Sequence, residues 1–238
     1  MKLRIDKMLS NVGLGSRKQI KQDAKKGSIK INDVIEKDSS RIIDTDVDIV
    51  KYNGETVRYV KFIYLMMNKP PGVVSATEDN YDKTVIDLLN DEDKFYNPFP
   101  VGRLDKDTEG LLLLTNNGQL AHDLLSPKKH VDKTYFAEVA EEVTEEDIEA
   151  FNKGILLTNE NYKTLPAKLE IIESGYPSTC YVTIKEGKFH QVKRMFNAVN
   201  NEVTYLKRIS MGQINLDDKL KLGEYRHLTE EELAMLMP

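Results

Sequence analysis

Apolar positions along this chain fall into three patterns: helical spacing, strict alternation, and short unbroken runs bounded by turn residues. Near the start, Ile5, Met8, Leu9 and Val12 share one face of a helix that Gly13 and Gly15 break. Ser16 then opens a second helix, with Gln19 placed to complete a capping box and Gly27 to stop it. A strand follows over Ser28–Ile31, with an Asn32-Asp33 turn and a return through Val34 and Ile35. Asp44–Val50 reads as another strand, and Asn53-Gly54 as a hairpin turn between VDIVKY and ETVRYV. The pattern changes near Tyr59–Phe62, which sets a boundary between a domain over residues 1–60 and one over 61–238.

The second part opens with a strand over Phe62–Met67, turned by Asn68-Lys69-Pro70-Pro71-Gly72, and resumes as a strand over Val73–Ala76. Asp82 is placed to cap a short helix through Val85, Ile86, Leu88 and Leu89, and Asp91–Pro100 reads as a loop. Leu111–Leu114 is an unbroken apolar run between Gly110 and Asn116-Asn117-Gly118, the signature of a strand buried on both faces. A helix over Gln119–Leu125 stops before Ser126-Pro127, and Lys133–Ala140 alternates as a strand. Thr144 and Asp147 frame a capping box for an acidic helix, Glu145–Asn152. Strands over Ala167–Ile172 and Ser178–Lys185 precede a helix over Phe189–Val199, whose buried stripe would be Phe189, Val192, Phe196 and Val199. Val203–Ile209 is a strand carrying Leu206 and Arg208, and Thr229 with Glu232 caps a last helix with a Met/Leu core stripe.

Charge alters the picture by its distribution. The net charge of −5 argues against nucleic acid, yet Met1–Ile31 holds nine Lys or Arg against two acids. Gly187–Arg208 holds five basic residues against one, and the deficit lies largely in Glu138–Glu149, with seven acids in twelve residues. A local patch, and not the mean charge, is what binds phosphate. The single cysteine, Cys180, excludes an internal disulfide and a cysteine-rich metal site, and reads as a small strand residue. No run approaches the ~20 apolar residues of a membrane span, and the interrupted, charged N-terminus is no signal peptide. A cytoplasmic protein with no membrane association is expected.

Candidate chemistry centres on VGRLDKDTEGLLLLTNNG, Val101–Gly118, where Asp105 stands just ahead of the buried leucine run. A carboxylate on a loop anchored by a rigid strand suits catalysis, although acids before a strand are commonly only solvated. No phosphate loop, dinucleotide fingerprint or His/Cys cluster accompanies it.

The block GRLDKDTEGLLLLTNNG resembles the catalytic motif of pseudouridine synthases of the RsuA type, which modify ribosomal RNA. YLMMNKPPG (Tyr64–Gly72), KTYFAEV (Lys133–Val139) and GKFHQVKRMF (Gly187–Phe196) agree in the same order, and the two helices and hairpin of the N-terminal part resemble an S4 RNA-binding domain. The resemblance covers nearly the whole chain. It implies an α+β fold: a small S4-like RNA-binding domain, then a catalytic domain on a mixed, mostly antiparallel sheet with flanking helices.

The resemblance makes Asp105 the catalytic carboxylate, as nucleophile or base. Lys193 matches the basic partner that keeps the carboxylate ionised, with Arg194 as the fallback. Tyr135 matches the active-site tyrosine that stacks on the base. Arg103 matches the arginine that fills the gap left by a flipped nucleotide, and Leu206 the apolar wall of the uracil site. Arg208, two residues on, is grouped with the substrate-binding residues. His190 reads as structural or as an RNA contact, since nothing in the sequence puts it beside Asp105. In the N-terminal domain Arg4, Arg17, Lys18, Lys21, Lys25 and Lys26 are the expected RNA contacts. Each has a plainer alternative: Arg103 pairing Asp107, Tyr135 as a strand aromatic, Lys193 as a solvated lysine, Leu206 as core.

Isomerising uridine transfers no external group and oxidises nothing, so no cofactor and no metal is expected. The implied partner is small-subunit ribosomal RNA or an assembling small subunit, with uridine 516 of 16S rRNA as target, acted on by a monomer. The SPKKHVDKTY stretch favours the small over the large subunit. Three other readings stay open: a large-subunit (23S) synthase of the same branch, a non-catalytic rRNA-binding assembly factor, and a hydrolase using Asp105 and Asp107 as a carboxyl pair, one of which would need a raised pKa.

Overall fold

The structure is a computed structural model that describes residues 2–126, 129–157 and 161–236. The readings that touch Met1, Pro127, Lys128 and Met237 lie outside the described residues. Contacts divide the chain into two compact units, Met1–Ile63 with Asn90–Asn97, and Tyr64–Leu89 with Pro98–Pro238.

The first unit runs β1 (Lys2–Arg4), α1 (Ile5–Asn11), α2 (Arg17–Lys26), β2 (Ile29–Ile31), β3 (Val34–Ile35), β4 (Ile42–Asp44), β5 (Val50–Tyr52) and β6 (Glu55–Val57). Strands β3-β2-β5-β6 form one antiparallel sheet, and β1 pairs β4. The apolar face of α1 (Ile5, Met8, Leu9) meets Ile20 and Ala24 of α2 and Ile29, Ile31, Ile43 and Val50 of the strands, a core suited to so short a segment. Ser16 caps α2 by accepting from Gln19 N–H, and Gly27 ends it in a left-handed conformation. The reciprocal half of the expected capping box is not made: the Gln19 amide bonds Asp23 instead.

Asp44–Val50 is not one strand: Asp44 ends β4, Val50 opens β5, and residues 45–49 between them are not strand. Asp48 accepts from Asp44 N–H and Asp44 from Asp46 N–H, so aspartate side chains take the backbone donors a strand would have used. The stretch read as a loop after Asn90 contains α3 (Asp91–Phe95), capped by the Asn90 side chain, with three acids in its first turn.

The second unit is built on β7 (Tyr64–Lys69), β8 (Phe99–Pro100), β9 (Glu109–Thr115), α4 (Gly118–Leu125), β10 (Lys133–Val139), α5 (Glu145–Lys153), β11 (Leu156–Leu157), β12 (Tyr162–Lys163), β13 (Lys168–Glu173), β14 (Ser178–Ile184), α6 (Gln191–Ala198), β15 (Val203–Met211), β16 (Ile214–Asn215), β17 (Tyr225–His227) and α7 (Glu230–Leu236). Its nine-stranded sheet has the order β13-β14-β10-β15-β9-β7-β17, with β16 on β15 and β8 on β9. Every pairing in it is antiparallel except β9 with β15. Val73–Ala76 forms only an isolated bridge, Val74 with Thr84.

Residues Gly110–Thr115 of β9 are all buried, as an unbroken apolar run requires. Leu111 and Leu113 pack with Met66, Leu120, Leu124, Met211 and Ile214 on one face. On β10, Lys133, Tyr135, Ala137 and Val139 point into the interior and Thr134, Phe136 and Glu138 do not. Phe151 of α5 meets Phe196 of α6 at 5.0 Å between ring centroids.

Helix α6 begins two residues later than its spacing suggests. His190 takes a left-handed conformation (φ 48°) and the helix starts at Gln191. The buried stripe is therefore Gln191, Val192, Met195 and Phe196, while Phe189 is 73% exposed.

Candidate active site

The loop Arg103–Thr108 enters β9 and is pinned from several sides. The Ser75 hydroxyl donates to Leu104 C=O (3.0 Å) and accepts from Leu104 N–H (3.1 Å). Thr108 N–H closes a turn on Asp105 C=O, and Gly72 N–H, from the proline turn, donates to Lys106 C=O at 2.7 Å. Lys69 is wholly buried, and its ammonium donates to the carbonyls of Pro70, Lys106 and Thr108 at 3.0, 3.2 and 2.9 Å. Burial pushes this lysine down to about 8. Where β9 leaves the loop it passes against β15 so closely that a Cβ on Gly110 (φ 100°) would sit 2.2 Å from Arg208 C=O. Only glycine permits that parallel join, which sets the Asp105 loop beside the strand carrying Leu206.

The result is a cleft lined by Arg103, Leu104, Asp105, Thr108, Tyr135 and Leu206, with Ile184, Gly187, Lys188, His190, Gln191 and Val192. Tyr135 faces Arg208 across the β10–β15 ladder and Leu206 faces Ala137, so Tyr135 and Leu206 are diagonal neighbours on one face. Four of the expected residues, Arg103, Asp105, Tyr135 and Leu206, therefore meet in one hollow. Lys193 of α6 lies 3.5 Å from Asp105 Oδ2.

Three acids of the loop are distinguished by their partners. Glu109 accepts from the Tyr205 hydroxyl at 2.7 Å. Asp107 accepts from Lys193 Nζ at 2.6 and 2.7 Å; burial raises its carboxyl, but the Lys193 contact outweighs this and holds it below the usual range. Asp105, with a quarter of its side chain accessible, lies 3.5 Å from Lys193 and 3.6 Å from His190 Nε2.

Several expectations change here. Lys193 is not dedicated to Asp105: its short contacts are to Asp107. His190, which nothing in the sequence put beside Asp105, stands 3.6 Å from it and has a left-handed backbone. Arg103 does not take Asp107 as partner, since Lys193 already holds that carboxylate. Of the carboxyl pair a hydrolase would use, Asp107 is held below the usual range by Lys193, so it is not the member that would keep a proton. Arg208, grouped with the substrate-binding residues, is 2% exposed and its Nε donates to Leu111 C=O at 2.8 Å, which makes it an arginine of the interior. Arg194 lies on α6 and donates from Nη1 to Phe189 C=O. Cys180 is fully buried, and burial pushes its thiol up to about 12, as an inert strand residue requires.

In the first unit, Arg4 and Arg17 both bind the carboxylate of Asp6, which is 6% exposed. Lys18, Lys21, Lys25 and Lys26 are exposed along α2, with Lys26 3.6 Å from Asp23.

Sequence reasoning missed Lys69, Ser75 and Thr108. Lys69 and Ser75 act on the loop from far away in sequence, so no local pattern reports them. Thr108 lines the cleft, and its buried hydroxyl has no hydrogen-bond partner among the described residues. A larger hollow of about 410 Å³ lies between α4 and α7, but its lining includes no cluster like that around Asp105. Among the described residues no group of three or more His, Cys, Asp or Glu could hold a metal ion.

Residues 63–198 match the family model described as RNA pseudouridylate synthase, and residues 3–49 match that of the S4 domain. The chain is 54% identical over 98% of both chains to a Bacillus subtilis protein named an uncharacterized RNA pseudouridine synthase. It is 42% identical to the ribosomal small subunit pseudouridine synthase A of Vibrio cholerae, over 98% of this chain and 99% of that one. A crystal structure described as a pseudouridylate synthase superposes with a TM-score of 0.70 at 39% identity, covering 99% of this chain and all of the other.

Proposed function

The chain belongs to the RNA pseudouridylate synthase family, and we propose that it converts one uridine of ribosomal RNA to pseudouridine, with uridine 516 of 16S rRNA as the target. The choice of the small subunit is supported by the full-length likeness to proteins named small subunit synthases.

The reaction breaks the N1–C1′ bond, turns the uracil and joins C5 to C1′; C5 loses a proton and N1 gains one. Electrons balance without a redox partner. The observation that carries the reading is the position of Asp105, a partly accessible carboxylate on a pinned loop, within 3.6 Å of Lys193 and His190 and in the cleft that Tyr135 and Leu206 also line. Asp105 acts on the uridine as nucleophile or base. Lys193 places a positive charge 3.5 Å from its Oδ2. Tyr135 stacks on the base and Leu206 walls it, while Arg103, exposed at the rim, takes the place of the extruded nucleotide. Lys18, Lys21, Lys25 and Lys26 contact RNA phosphates.

The test is pseudouridine mapping across 16S and 23S rRNA in cells carrying the wild-type chain or Asp105→Asn. Asparagine keeps the shape and removes the charge. The expected result is one small-subunit site, present with wild type and lost with the variant. A lost 23S site overturns the subunit, and no change at any site leaves a binding factor as the better reading.

A further inference from the structure

Phe189 is the residue at which spacing and structure disagree most. Its position in the sequence suits a buried stripe, yet it stands 73% exposed next to the cleft. The segment that presents it is not loose. Gln191, 4% exposed, accepts from Lys188 N–H at 2.9 Å and donates to the Glu186 carboxylate at 2.9 Å. Gln191 N–H donates to Lys188 C=O, and Arg194 donates to Phe189 C=O. The rings of Phe189 and His190 stack at 3.8 Å and 18°, and His190 Nε2 reaches to 3.6 Å from Asp105. A continuous line thus runs from the carboxylate through an imidazole to a flat aromatic face open to solvent.

A rigidly held, exposed ring flanked in the chain by Lys188 and followed by Arg194 has the chemistry that recognises single-stranded nucleic acid: a π-face for a base and cations for its phosphates. We propose that the outer face of Phe189 is a stacking platform for the nucleobase next to the uridine that enters the cleft. This rests on the uridine-isomerase reading. Extruding a uridine breaks its stacking on its neighbours, and Phe189 supplies a replacement surface for one of them.

The test uses an RNA hairpin with the uridine 516 sequence, carrying 2-aminopurine at one or the other side of that uridine, with the full chain as wild type, Phe189→Ala, Phe189→Leu and Phe189→Trp. RNA affinity, 2-aminopurine fluorescence and pseudouridine formation at saturating enzyme are measured. Stacking predicts quenching at one flanking position with wild type and Trp, lost with Ala and Leu. It predicts affinity weakened roughly ten- to hundredfold in Ala and Leu, with the saturated rate changed by less than about threefold. Unchanged affinity and quenching in Ala overturn the platform. So does Leu binding as well as wild type, which would mean a plain apolar contact. A slowed saturated rate at normal affinity also overturns it, since Phe189 would then act on Asp105 through His190. If wild type quenches the probe but forms no pseudouridine, the platform stands and the isomerase reading fails. If wild type does not bind the hairpin, the platform is overturned.

Discussion

Lys193 Nζ grips both carboxylate oxygens of Asp107, at 2.6 and 2.7 Å, and stands 3.5 Å from the nearer oxygen of Asp105. One ammonium is shared between an acid whose side chain is 73% accessible and another that lines the cleft. Water already solvates Asp107, so that ion pair is worth little by itself, whereas the longer contact to Asp105 lies where solvent screening is weaker.

The expected consequence is an asymmetry between the two partners. Lys193→Met should slow saturated single-turnover pseudouridine formation by about a hundredfold, and Lys193→Arg should retain most of the rate. Asp107→Asn should change it by less than about threefold, because it frees Lys193 for Asp105. Equal losses in Asp107→Asn and Lys193→Met would show that the Lys193–Asp107 pair itself is what the reaction needs.

Lys69 should act through stability. Replacing it with methionine leaves the carbonyls of Pro70, Lys106 and Thr108 without their shared donor, at a cost of about 2–4 kcal/mol in urea unfolding near neutral pH. The pH dependence has a definite sign. Burial lowers the folded-state value from 10.5 to about 8, so between those values the unfolded chain holds a proton the folded chain has released. The Lys69 contribution to stability therefore rises with pH across that window and is level below it. The difference in unfolding free energy between wild type and Lys69→Met should widen from pH 8 to pH 10; a constant difference would refute the shift.

The basic residues of the first unit should separate into two groups. Lys18, Lys21 and Lys25 are exposed, and replacing all three with glutamine should lower the slope of log affinity against log salt by roughly two to three. Arg17→Gln should change that slope less, because Arg17 is already paired with Asp6, and should destabilise the unit by exposing a buried carboxylate to the loss of a partner. Salt titrations of RNA binding, with thermal unfolding alongside, distinguish the two.

What the sequence determined by itself was whatever depends on near neighbours. The leucine run announced β9 because a strand buried on both faces has no polar position to break it. Ser16, Thr144 and Thr229 marked helix starts because capping is a contact over three residues. The resemblance of the ordered motifs pointed to Asp105, Tyr135, Lys193, Arg103 and Leu206, and four of these line one cleft. Tertiary structure decided what those residues do to one another. Residues 45–49 lost their strand to aspartate side chains that bond the backbone locally, an outcome apolar alternation does not register. Arg208 went inside because β15 lies against β9 at Gly110, a contact between positions almost a hundred residues apart. Lys69 and Ser75 reach the Asp105 loop across shorter but still non-local separations, 39 and 29 residues. The largest departure lies at His190, whose backbone is left-handed: Phe189 before it is exposed, and His190 itself stands beside Asp105. Periodicity assumes that the backbone conformation continues, so it cannot register a turn that tertiary contacts impose.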